Sequence, residues 1–274
     1  MKPQAIFIDL DNTLIPHSKH HFSISMENLF ALKTAQKKHI YIVIATGRSI
    51  EDVREVYEKY RINDFGDYII YNNSAGIQQL GPIPKVLLNE KISIEQGKKI
   101  IEELKQLNVF IKLSENRILY YKKMNLVFWI FLKMRGMPFE KQDKMAPDFS
   151  NFAKIGFIPP MISRRKISNL IDGLKEKFPE QEIITSGSGR FVEITKLGVT
   201  KSKGIEFLAD RLDLDLTQCV AIGDSENDVS MFKVVGYPIA MKNARKNIKK
   251  HAKFQTDTSK RNGVAKAIKS IYEI

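Results

Sequence analysis

The stretch Asp9-Leu10-Asp11-Asn12-Thr13 decides the fold, because it follows the apolar run Ala5-Ile6-Phe7-Ile8, which is typical of a buried strand. Two carboxylates therefore stand one residue apart where a strand ends and its alternation of side chains breaks down. Acids this close repel each other, and a hard divalent cation such as Mg²⁺, which takes oxygen ligands, would relieve the repulsion. The stretch indicates chemistry by a nucleophile that lies beside a metal ion and a proton donor.

Other apolar strands along the chain also end in polar residues. These pairs are Ile42-Val43-Ile44-Ala45 before Thr46-Gly47-Arg48, Ile69-Ile70-Tyr71 before Asn72-Asn73-Ser74, and Val220-Ala221-Ile222 before Gly223-Asp224-Ser225-Glu226-Asn227-Asp228. In an open parallel sheet, ligands bind in the crevice outside the carboxyl ends of the strands. Each motif alone also fits a turn or a helix cap, and Lys201 alone fits a solvated lysine, but their shared placement favours one site.

Predicted strands and helices alternate near both ends of the chain, and this alternation is lost in the middle. In the first part, elements are expected at Ala5–Ile8, Ser25–Lys38, Tyr41–Ala45, Ser49–Tyr60 and Tyr68–Tyr71. The alternation breaks at Gly81-Pro82-Ile83-Pro84 and resumes near Gly198. We therefore predict an α/β protein whose Rossmann-like parallel sheet is formed by residues 1–82 and 193–274 and is interrupted by an inserted α+β domain at residues 83–192.

Composition limits the class of protein. With 274 residues and 43% hydrophobic content, the chain can bury one large core or two smaller ones. No apolar run reaches the roughly 18 residues of a transmembrane helix, and Asp9 and Asp11 interrupt the apolar run that a signal peptide would need. The single cysteine, Cys219, excludes an intramolecular disulfide and fits a buried thiol in a reducing cytoplasm, where we expect the protein.

The net charge of +13 is large and has two interpretations. It suggests an anionic partner, such as a phosphorylated small molecule, nucleic acid or a membrane surface, or it only keeps the protein in solution. The lysines are scattered along most predicted helices, with the densest stretch at Lys242–Lys253. No nucleic-acid-binding motif and no aromatic stacking pattern stands out in the sequence.

The motifs together resemble the haloacid dehalogenase superfamily of hydrolases, in the Cof-type subfamily IIB of sugar-phosphate phosphatases. The family pattern is Asp-x-Asp-x-Thr, Thr-Gly-Arg, a lysine and Gly-Asp-x-x-Asn-Asp. This chain matches it with Asp9–Thr13, Thr46–Arg48, Lys201 and Gly223–Asp228, and resembles the family further at Ile239–Ala244 and Asn262–Val264. The resemblance covers both predicted core segments, whereas the inserted segment matches in position and size more than in sequence.

The resemblance implies a role for each motif residue. Asp9 would attack phosphorus and become an aspartyl phosphate, and Asp11 would protonate the leaving alkoxide and then activate water. Lys201 would pair with the phosphoryl group and with Asp9. The implied Mg²⁺ ligands are the Asp9 carboxylate, the Asp11 backbone carbonyl and Asp224, with Asp228 as a second metal-site or lysine-orienting acid. The implied substrate-binding residues are Thr46, Gly47, Arg48 and Asn227.

Two positions depart from the family pattern. Asn12 stands where Gly is frequent, and Asn tolerates left-handed backbone almost as well. The family's Asn-Gly-Ala reads Asn73-Ser74-Ala75-Gly76 here, which leaves a substrate contact by Asn73 open. The inserted domain would close over the site as a cap. Its apolar segment Leu126–Leu132 fits packing within the cap, the lining of a pocket or a surface for a partner.

We predict a Mg²⁺-dependent phosphatase that hydrolyses small phosphorylated metabolites, sugar phosphates first among them, through an aspartyl phosphate. Asp11 argues against dehalogenation, because the dehalogenating relatives lack this second acid. The alternatives are a phosphotransferase or phosphomutase of the same superfamily and, from another class, a basic non-catalytic protein that binds nucleic acid or an acidic surface. We expect no specific nucleic-acid partner and no membrane partner, and the oligomeric state stays open.

Overall fold

The computed structural model describes residues 2–16, 24–53, 59, 66–114, 118–134, 136–145, 152–159, 164–186 and 191–273. Its strands are β1 (Ala5–Asp9), β2 (Tyr41–Ala45), β3 (Tyr68–Tyr71), β4 (Gly76–Gln79), β5 (Lys85–Asn89), β6 (Phe110–Leu113), β7 (Leu119–Tyr121), β8 (Phe139–Lys141), β9 (Ile155–Ile158), β10 (Gln181–Ser186), β11 (Phe191–Lys196), β12 (Val220–Gly223), β13 (Tyr237–Ala240) and β14 (Phe254–Gln255). Its helices are α1 (Met26–Lys37), α2 (Ile94–Gln106), α3 (Leu126–Met134), α4 (Arg164–Lys177), α5 (Lys201–Leu212), α6 (Val229–Val234), α7 (Lys246–Lys249) and α8 (Gly263–Glu273).

The chain divides into two compact units, residues 1–89 with 200–274 and residues 90–199. The sequence pattern predicts domain boundaries at 82/83 and 192/193, which stay predictions; the compact units divide later along the chain. The first differs because β4 and β5 form a hairpin that extends the sheet of the first unit through antiparallel pairing with β3. The second differs because β11 continues to Lys196 within the sheet of the second unit.

The first unit is built on an eight-stranded sheet in the order β14-β13-β12-β1-β2-β3-β4-β5. The strands from β14 to β3 run parallel, and β4 runs in the opposite direction, so that it pairs antiparallel with both β3 and β5. Strand β1 lies in the middle, because Ile6 is in register with Ile42 on one side and with Val220 on the other. This arrangement confirms the predicted α/β fold with a parallel sheet.

Both faces of this sheet are covered by helices, because its central strands are apolar on both sides. From β1, Ile6 and Ile8 enter one core together with Leu32 of α1 and Ile268 of α8. Phe7 points into the opposite core, which also contains Ile205 and Leu208 of α5 and Met231 of α6. Helices on both faces leave the carboxyl ends of the parallel strands as the edge where polar motifs collect.

A buried asparagine joins the helices α1 and α8 on one face. The side chain of Ser25 caps α1 by accepting a hydrogen bond of 3.2 Å from the Asn28 backbone N–H. The Asn28 side chain in turn accepts a bond of 2.9 Å from the backbone N–H of Ala265. Ala265 lies in the first turn of α8, where backbone N–H groups have no partner inside the helix. Asn28 therefore supplies a cap to a helix that lies far away in sequence.

The second unit contains a six-stranded sheet in the order β10-β11-β9-β6-β7-β8. All neighbouring strands are antiparallel except β7 and β8, whose parallel pairing the sequence pattern does not predict. Helices α2 and α4 pack through Ile100, Leu104 and Leu174 on a core that includes Ile111 and Phe157. The N-terminus of α2 is capped by a hydrogen bond of 3.3 Å from the Gln96 N–H to the Ser93 hydroxyl.

The helix predicted at Ser49–Tyr60 is described in part. Residues 50–53 are helical, and the Ser49 hydroxyl accepts a bond of 3.2 Å from the Asp52 backbone N–H, as a capping residue does. Residues 54–58 and 60 lie outside the described residues. Within the described part of the chain, none of the helices combines the length and the apolar character that crossing a bilayer requires.

Candidate active site

Asp9 is the last residue of β1, and the loop that follows turns sharply. The Asp9 carbonyl accepts a hydrogen bond from the Leu14 N–H, and the Asn12 N–H donates to the Ile15 carbonyl. Asn12 adopts a left-handed backbone with φ of 61°, as its side chain tolerates. The Asp9 side chain is buried, whereas that of Asp11 is 45% exposed. The two acids at the strand end thus differ in their access to water.

Lys201 is a fully buried lysine held between two carboxylates. Its Nζ lies 2.6 Å from Asp9 Oδ1 and 2.6 Å from Asp228 Oδ1. The residue begins α5, which approaches the sheet so closely that a Cβ on Gly204 would lie 2.9 Å from the Ile70 side chain. Glycine at this position therefore lets the helix bring the ammonium group to the strand ends.

Asp228 organises the loop after β12. Its Oδ2 accepts hydrogen bonds of 2.9 Å from the backbone N–H groups of both Asp224 and Ser225. The loop is tight, because a Cβ on Gly223 would lie 2.5 Å from the Asp228 Cγ. With Lys201 on the other oxygen, the Asp228 carboxylate has a donor at each of its two atoms. Its bonds therefore suit an acid that orients Lys201 and the loop.

Asp224 faces the site from the same loop and is held by two side chains. Thr13 Oγ1 donates to Asp224 Oδ1 over 3.4 Å, and Asn243 Nδ2 donates to Asp224 Oδ2 over 3.2 Å. The Asn243 amide group also donates to the Asn12 carbonyl over 2.9 Å, and its oxygen accepts from the Ser259 N–H over 3.0 Å. Asn243 therefore connects the Asp9–Thr13 loop to the Asp224 carboxylate.

Thr46 and Arg48 follow β2, beside the end of β1. Thr46 is buried, and its hydroxyl oxygen accepts a bond of 3.1 Å from the Arg48 N–H. The Arg48 guanidinium makes a two-pronged ion pair with Asp11, with Nε 2.7 Å from Oδ2 and a terminal nitrogen 2.5 Å from Oδ1. Arg48 is expected to orient the substrate, but in this structure its guanidinium group binds the Asp11 carboxylate. Gly47 lies between the two residues.

Asn73 and Asn227 meet across the strand ends. Asn227 Nδ2 donates to Asn73 Oδ1 over 3.0 Å, and the Ser225 hydroxyl donates to Asn227 Oδ1 over 2.9 Å. Asn73 has a left-handed backbone with φ of 56°, between Asn72 and Ser74, which also have positive φ values. The turn after β3 thereby directs a buried amide group to Asn227.

The charges of the site interact strongly. Burial and the charge of Asp228 raise the pKa of Asp9 from 3.8 to about 7, although Lys201 acts in the opposite direction. Burial and the charge of Asp9 raise the pKa of Asp224 to about 8. Burial opposes the charged form of Lys201, but the two carboxylates beside it raise its pKa above the usual value. The site thus holds more negative charge than Lys201 compensates.

This surplus fits a divalent cation. Asp9, Asp224 and Asp228 each offer a carboxylate oxygen, and these atoms lie within 4.8 Å of one another. Asp9 Oδ2 is buried and has no hydrogen-bond partner among the residues that the structure describes, which is costly for a carboxylate oxygen. A hard cation with oxygen ligands would satisfy that atom and reduce the repulsion between the acids. Because N–H groups already occupy Asp228, Asp9 and Asp224 are better placed as ligands.

The structure brings the predicted residues to one edge of the sheet. The direct contacts link Lys201 to Asp9 and Asp228, Asp11 to Arg48, Arg48 to Thr46, and Asn227 to Asn73. Sequence reasoning missed the support of Asp224 by Asn243, although the likeness of Ile239–Ala244 to the family already pointed to that segment.

The parallel sheet with acids at the carboxyl ends of its strands places the protein among α/β enzymes whose polar site lies at that edge of the sheet. A model of the haloacid dehalogenase-like hydrolase family matches residues 6–268, and the chain belongs to this family. The predicted family is thereby confirmed, as is the predicted enzyme class: the protein is a phosphatase of this family.

Relatives and solved structures match along the whole chain. The 5-amino-6-(5-phospho-D-ribitylamino)uracil phosphatase YcsE of Bacillus subtilis is 29% identical to this chain. The alignment includes 97% of this chain and 94% of YcsE. The phosphatase YwpJ of the same organism is 27% identical, with 98% and 99% covered. The structure of a subclass IIB sugar phosphatase of the superfamily, at 24% identity, shares the fold with a TM-score of 0.76 over 99% of this chain and 100% of its own.

Proposed function

We propose that this phosphatase hydrolyses small phosphate monoesters with the aid of Mg²⁺ and through an aspartyl phosphate on Asp9. One observation carries the proposal: Asp9 is buried with one oxygen bound to Lys201, and within the described part of the chain the other oxygen has no partner. A carboxylate held in this way has a fixed direction and one free lone-pair face. Both are requirements for an attack on phosphorus in line with the leaving group.

In the first step, a carboxylate oxygen of Asp9 forms a bond to phosphorus and the bond from phosphorus to the ester oxygen breaks. The leaving alcohol oxygen takes a proton from Asp11, whose carboxyl group lies two residues away and is open to water. Arg48 holds Asp11 in a fixed orientation through its two bonds. For this step Asp11 must be protonated, so we propose that Arg48 moves away from it when substrate binds.

In the second step, Asp11 takes the proton from a water molecule as the water oxygen attacks phosphorus. The bond between Asp9 and phosphorus breaks, inorganic phosphate leaves, and both carboxyl groups return to their starting states. The net reaction consumes one ester and one water and yields one alcohol and one phosphate. Positioning of charged groups, and not covalent chemistry alone, supplies most of the rate in such reactions.

The remaining polar groups bind the phosphoryl oxygens. The Lys201 ammonium group lies beside the nucleophile and reduces repulsion between Asp9 and an incoming phosphate dianion. The Thr46 hydroxyl accepts from Arg48, so its own proton is available for a phosphoryl oxygen. Asn227 is fixed by Ser225 and Asn73, which suits it to orient substrate. Asp9, Asp224 and the Asp11 backbone carbonyl would hold Mg²⁺, which supplies positive charge against the phosphoryl oxygens when it is bound.

The substrate class follows from the family and from charge. The relatives include a phosphatase named for a phosphoribityl compound, and a sugar phosphatase shares the fold. The net charge of +13 favours anionic small molecules. We therefore propose sugar phosphates and related phosphorylated metabolites. Closure of residues 90–199 over the site as a cap, and a cytoplasmic location, stay predictions.

The test compares three variants and follows phosphate release from a panel of phosphorylated metabolites with and without Mg²⁺. Asp9→Asn should abolish turnover and Asp11→Asn should slow it severely, while Asp210→Asn, an exposed acid on α5, should change nothing. In Asp11→Asn, the peptide with Asp9 should carry an additional phosphoryl group by mass spectrometry, because water is no longer activated. Full activity of Asp9→Asn, or release that does not depend on a divalent ion, would contradict the proposal.

The same panel distinguishes hydrolysis from phosphoryl transfer to a second sugar. Release of inorganic phosphate without an added acceptor supports hydrolysis. Release that requires an acceptor alcohol, with the phosphate recovered on that acceptor, would instead indicate a phosphotransferase.

A further inference from the structure

Helix α3 lies on the opposite face of the second sheet from helices α2 and α4. Successive strand residues alternate between the two faces, so Ile111 joins the core beneath α2 and α4, while Phe110 joins a separate cluster with Leu119 and Leu132. Phe128 of α3 packs on the Phe110 ring with centroids 4.2 Å apart. One side of α3, carrying Phe128 and Leu132, is therefore buried on the sheet.

The other side of α3 is apolar and exposed. Leu126, Val127, Ile130 and Met134 have exposed fractions of 71%, 73%, 44% and 84%. Residues 126, 130 and 134 follow one another at intervals of four, so they form one stripe along the helix, and Val127 extends it. We call these four side chains the α3 apolar face. Aliphatic side chains that are contiguous and this exposed usually mark a surface that binds something.

The sequence around this face is basic and contains no acid. Between Glu115 and Glu140 it includes Arg117, Lys122, Lys123, Lys133 and Arg135, and no Asp or Glu. Lys123 and Lys133 are exposed, and the Lys133 Nζ lies 5.7 Å from the centre of the Trp129 ring at the flank of the apolar face. An aromatic ring beside lysines and exposed aliphatic residues is the composition of helices that lie in a membrane interface.

We propose that the α3 apolar face, with its surrounding lysines, docks the protein reversibly on an anionic lipid surface. The aliphatic side chains would enter the boundary of the acyl chains, and the lysines would contact the lipid phosphates. The charge of this segment argues against a second copy of the chain as the binding partner. A twofold contact would place the same basic segment against itself, and the segment contains no acid to compensate. The proposal revises the sequence-based expectation of no membrane partner and is independent of the proposed reaction.

The single tryptophan of the chain lies in this helix and reports directly on the proposed contact. Trp129 is 41% exposed, so its emission should shift to shorter wavelength when the face enters lipid. The experiment titrates the intact protein with vesicles of phosphatidylcholine mixed with phosphatidylglycerol, and in parallel with pure phosphatidylcholine. We expect a blue shift and cosedimentation with the anionic vesicles only, and weaker binding as salt is added, because salt screens the charges.

Two double variants, each with a matched control, separate the apolar contribution to vesicle binding from the charged one. Leu126→Ser with Ile130→Ser should weaken anionic-vesicle binding about tenfold or more. The matched control, Met26→Ser with Phe30→Ser, removes exposed apolar side chains from α1 and should leave binding unchanged. Lys123→Glu with Lys133→Glu should weaken cosedimentation strongly, whereas Lys260→Glu with Lys269→Glu makes the same change of charge elsewhere and should have little effect.

Several results would overturn the proposal. These are equal binding to neutral vesicles, no binding at all, or binding that the α3 variants leave unchanged. A concentration-dependent dimer that Leu126→Ser with Ile130→Ser abolishes would assign the face to contact between copies. A change in KM for phosphate esters without any vesicle binding would assign it to substrate selection. Vesicle-free hydrolysis is measured on every variant, so loss of folding or of the proposed reaction is detected separately.

Discussion

The buried ammonium group of Lys201 holds two carboxylates in place, and its removal tests the balance of charge in the site. We expect Lys201→Met to abolish turnover and to lower the free energy of unfolding by about 3–5 kcal/mol, because it leaves buried acids without a counter-charge. Urea denaturation measures this loss. The double variant Lys201→Met with Asp228→Asn removes one of those acids, so it should be more stable than Lys201→Met alone; equal or lower stability would contradict the role of the pair.

The raised pKa values of Asp9 and Asp224 predict how stability depends on pH without metal. From the unfolded value of 3.8 up to about 7 for Asp9 and about 8 for Asp224, the folded state binds more protons than the unfolded state. The free energy of unfolding should therefore fall as pH rises through this window. Thermal melts in EDTA between pH 4 and 8 check this. Added Mg²⁺ should remove most of the decline, and a decline of equal size with Mg²⁺ would speak against a cation at these acids.

Asn243 contacts the Asp224 carboxylate without belonging to any motif of acids. Asn243→Ala should raise the Mg²⁺ concentration needed for half-maximal activity by about tenfold, because residues that orient metal ligands typically have effects of that size. A Mg²⁺ titration of initial rates measures it, with the exposed neighbour Lys242→Ala as the control. A fall in maximal rate at an unchanged Mg²⁺ requirement would show that Asn243 does not act through Asp224.

For single residues, the sequence predicts which side chains form the candidate site better than it predicts which side chains hold them in place. Asp9, Asp11 and Asp224 are recognisable because each directly follows an apolar strand, which is a local pattern. The contact of Asn243 with Asp224 spans 19 positions, and that of Asn28 with Ala265 spans 237. Such contacts depend on how distant elements pack, which hydrophobic periodicity does not encode.

Among the elements, helix α8 depends on a cap from α1. Asn28→Ala removes the acceptor of the Ala265 N–H inside the protein, so we expect a loss of about 1–3 kcal/mol in the free energy of unfolding. Chemical denaturation measures the loss, and Glu27→Ala, an exposed neighbour on α1, serves as the control. Equal stability of the two variants would mean that water replaces the asparagine.

The sequence predicts best those elements whose residues form an uninterrupted apolar run. Strand β2 has the predicted bounds, Tyr41–Ala45, because it is a short apolar run. The hairpin of β4 and β5 was missed, since Gly81, Pro82 and Pro84 suggested a linker and its strands contain Gln and Lys. These strands are held by their neighbour β3, and not by a pattern of their own.

At the scale of the whole molecule, the second unit is a continuous piece of chain with its own apolar core. We expect residues 90–199 expressed alone to fold, with a cooperative thermal transition by circular dichroism. Within that fragment, Ile111→Ala should cost about 2–5 kcal/mol, because the side chain is fully buried. A transition without cooperativity, or one that Ile111→Ala leaves unchanged, would show that the unit depends on the rest of the chain.

The first unit is instead formed by two distant parts of the chain, because its central strand β1 pairs with β12, which begins only at Val220. During translation, Asp9 leaves the ribosome long before Lys201, Asp224 and Asp228 exist. We therefore expect the edge of β1 that β12 covers to stay unpaired in a nascent chain until Val220 has been made, and an unpaired strand edge can associate with other chains. Because the proposed reaction needs residues from both ends of the chain, we expect a fragment that ends before Val220 to release no phosphate.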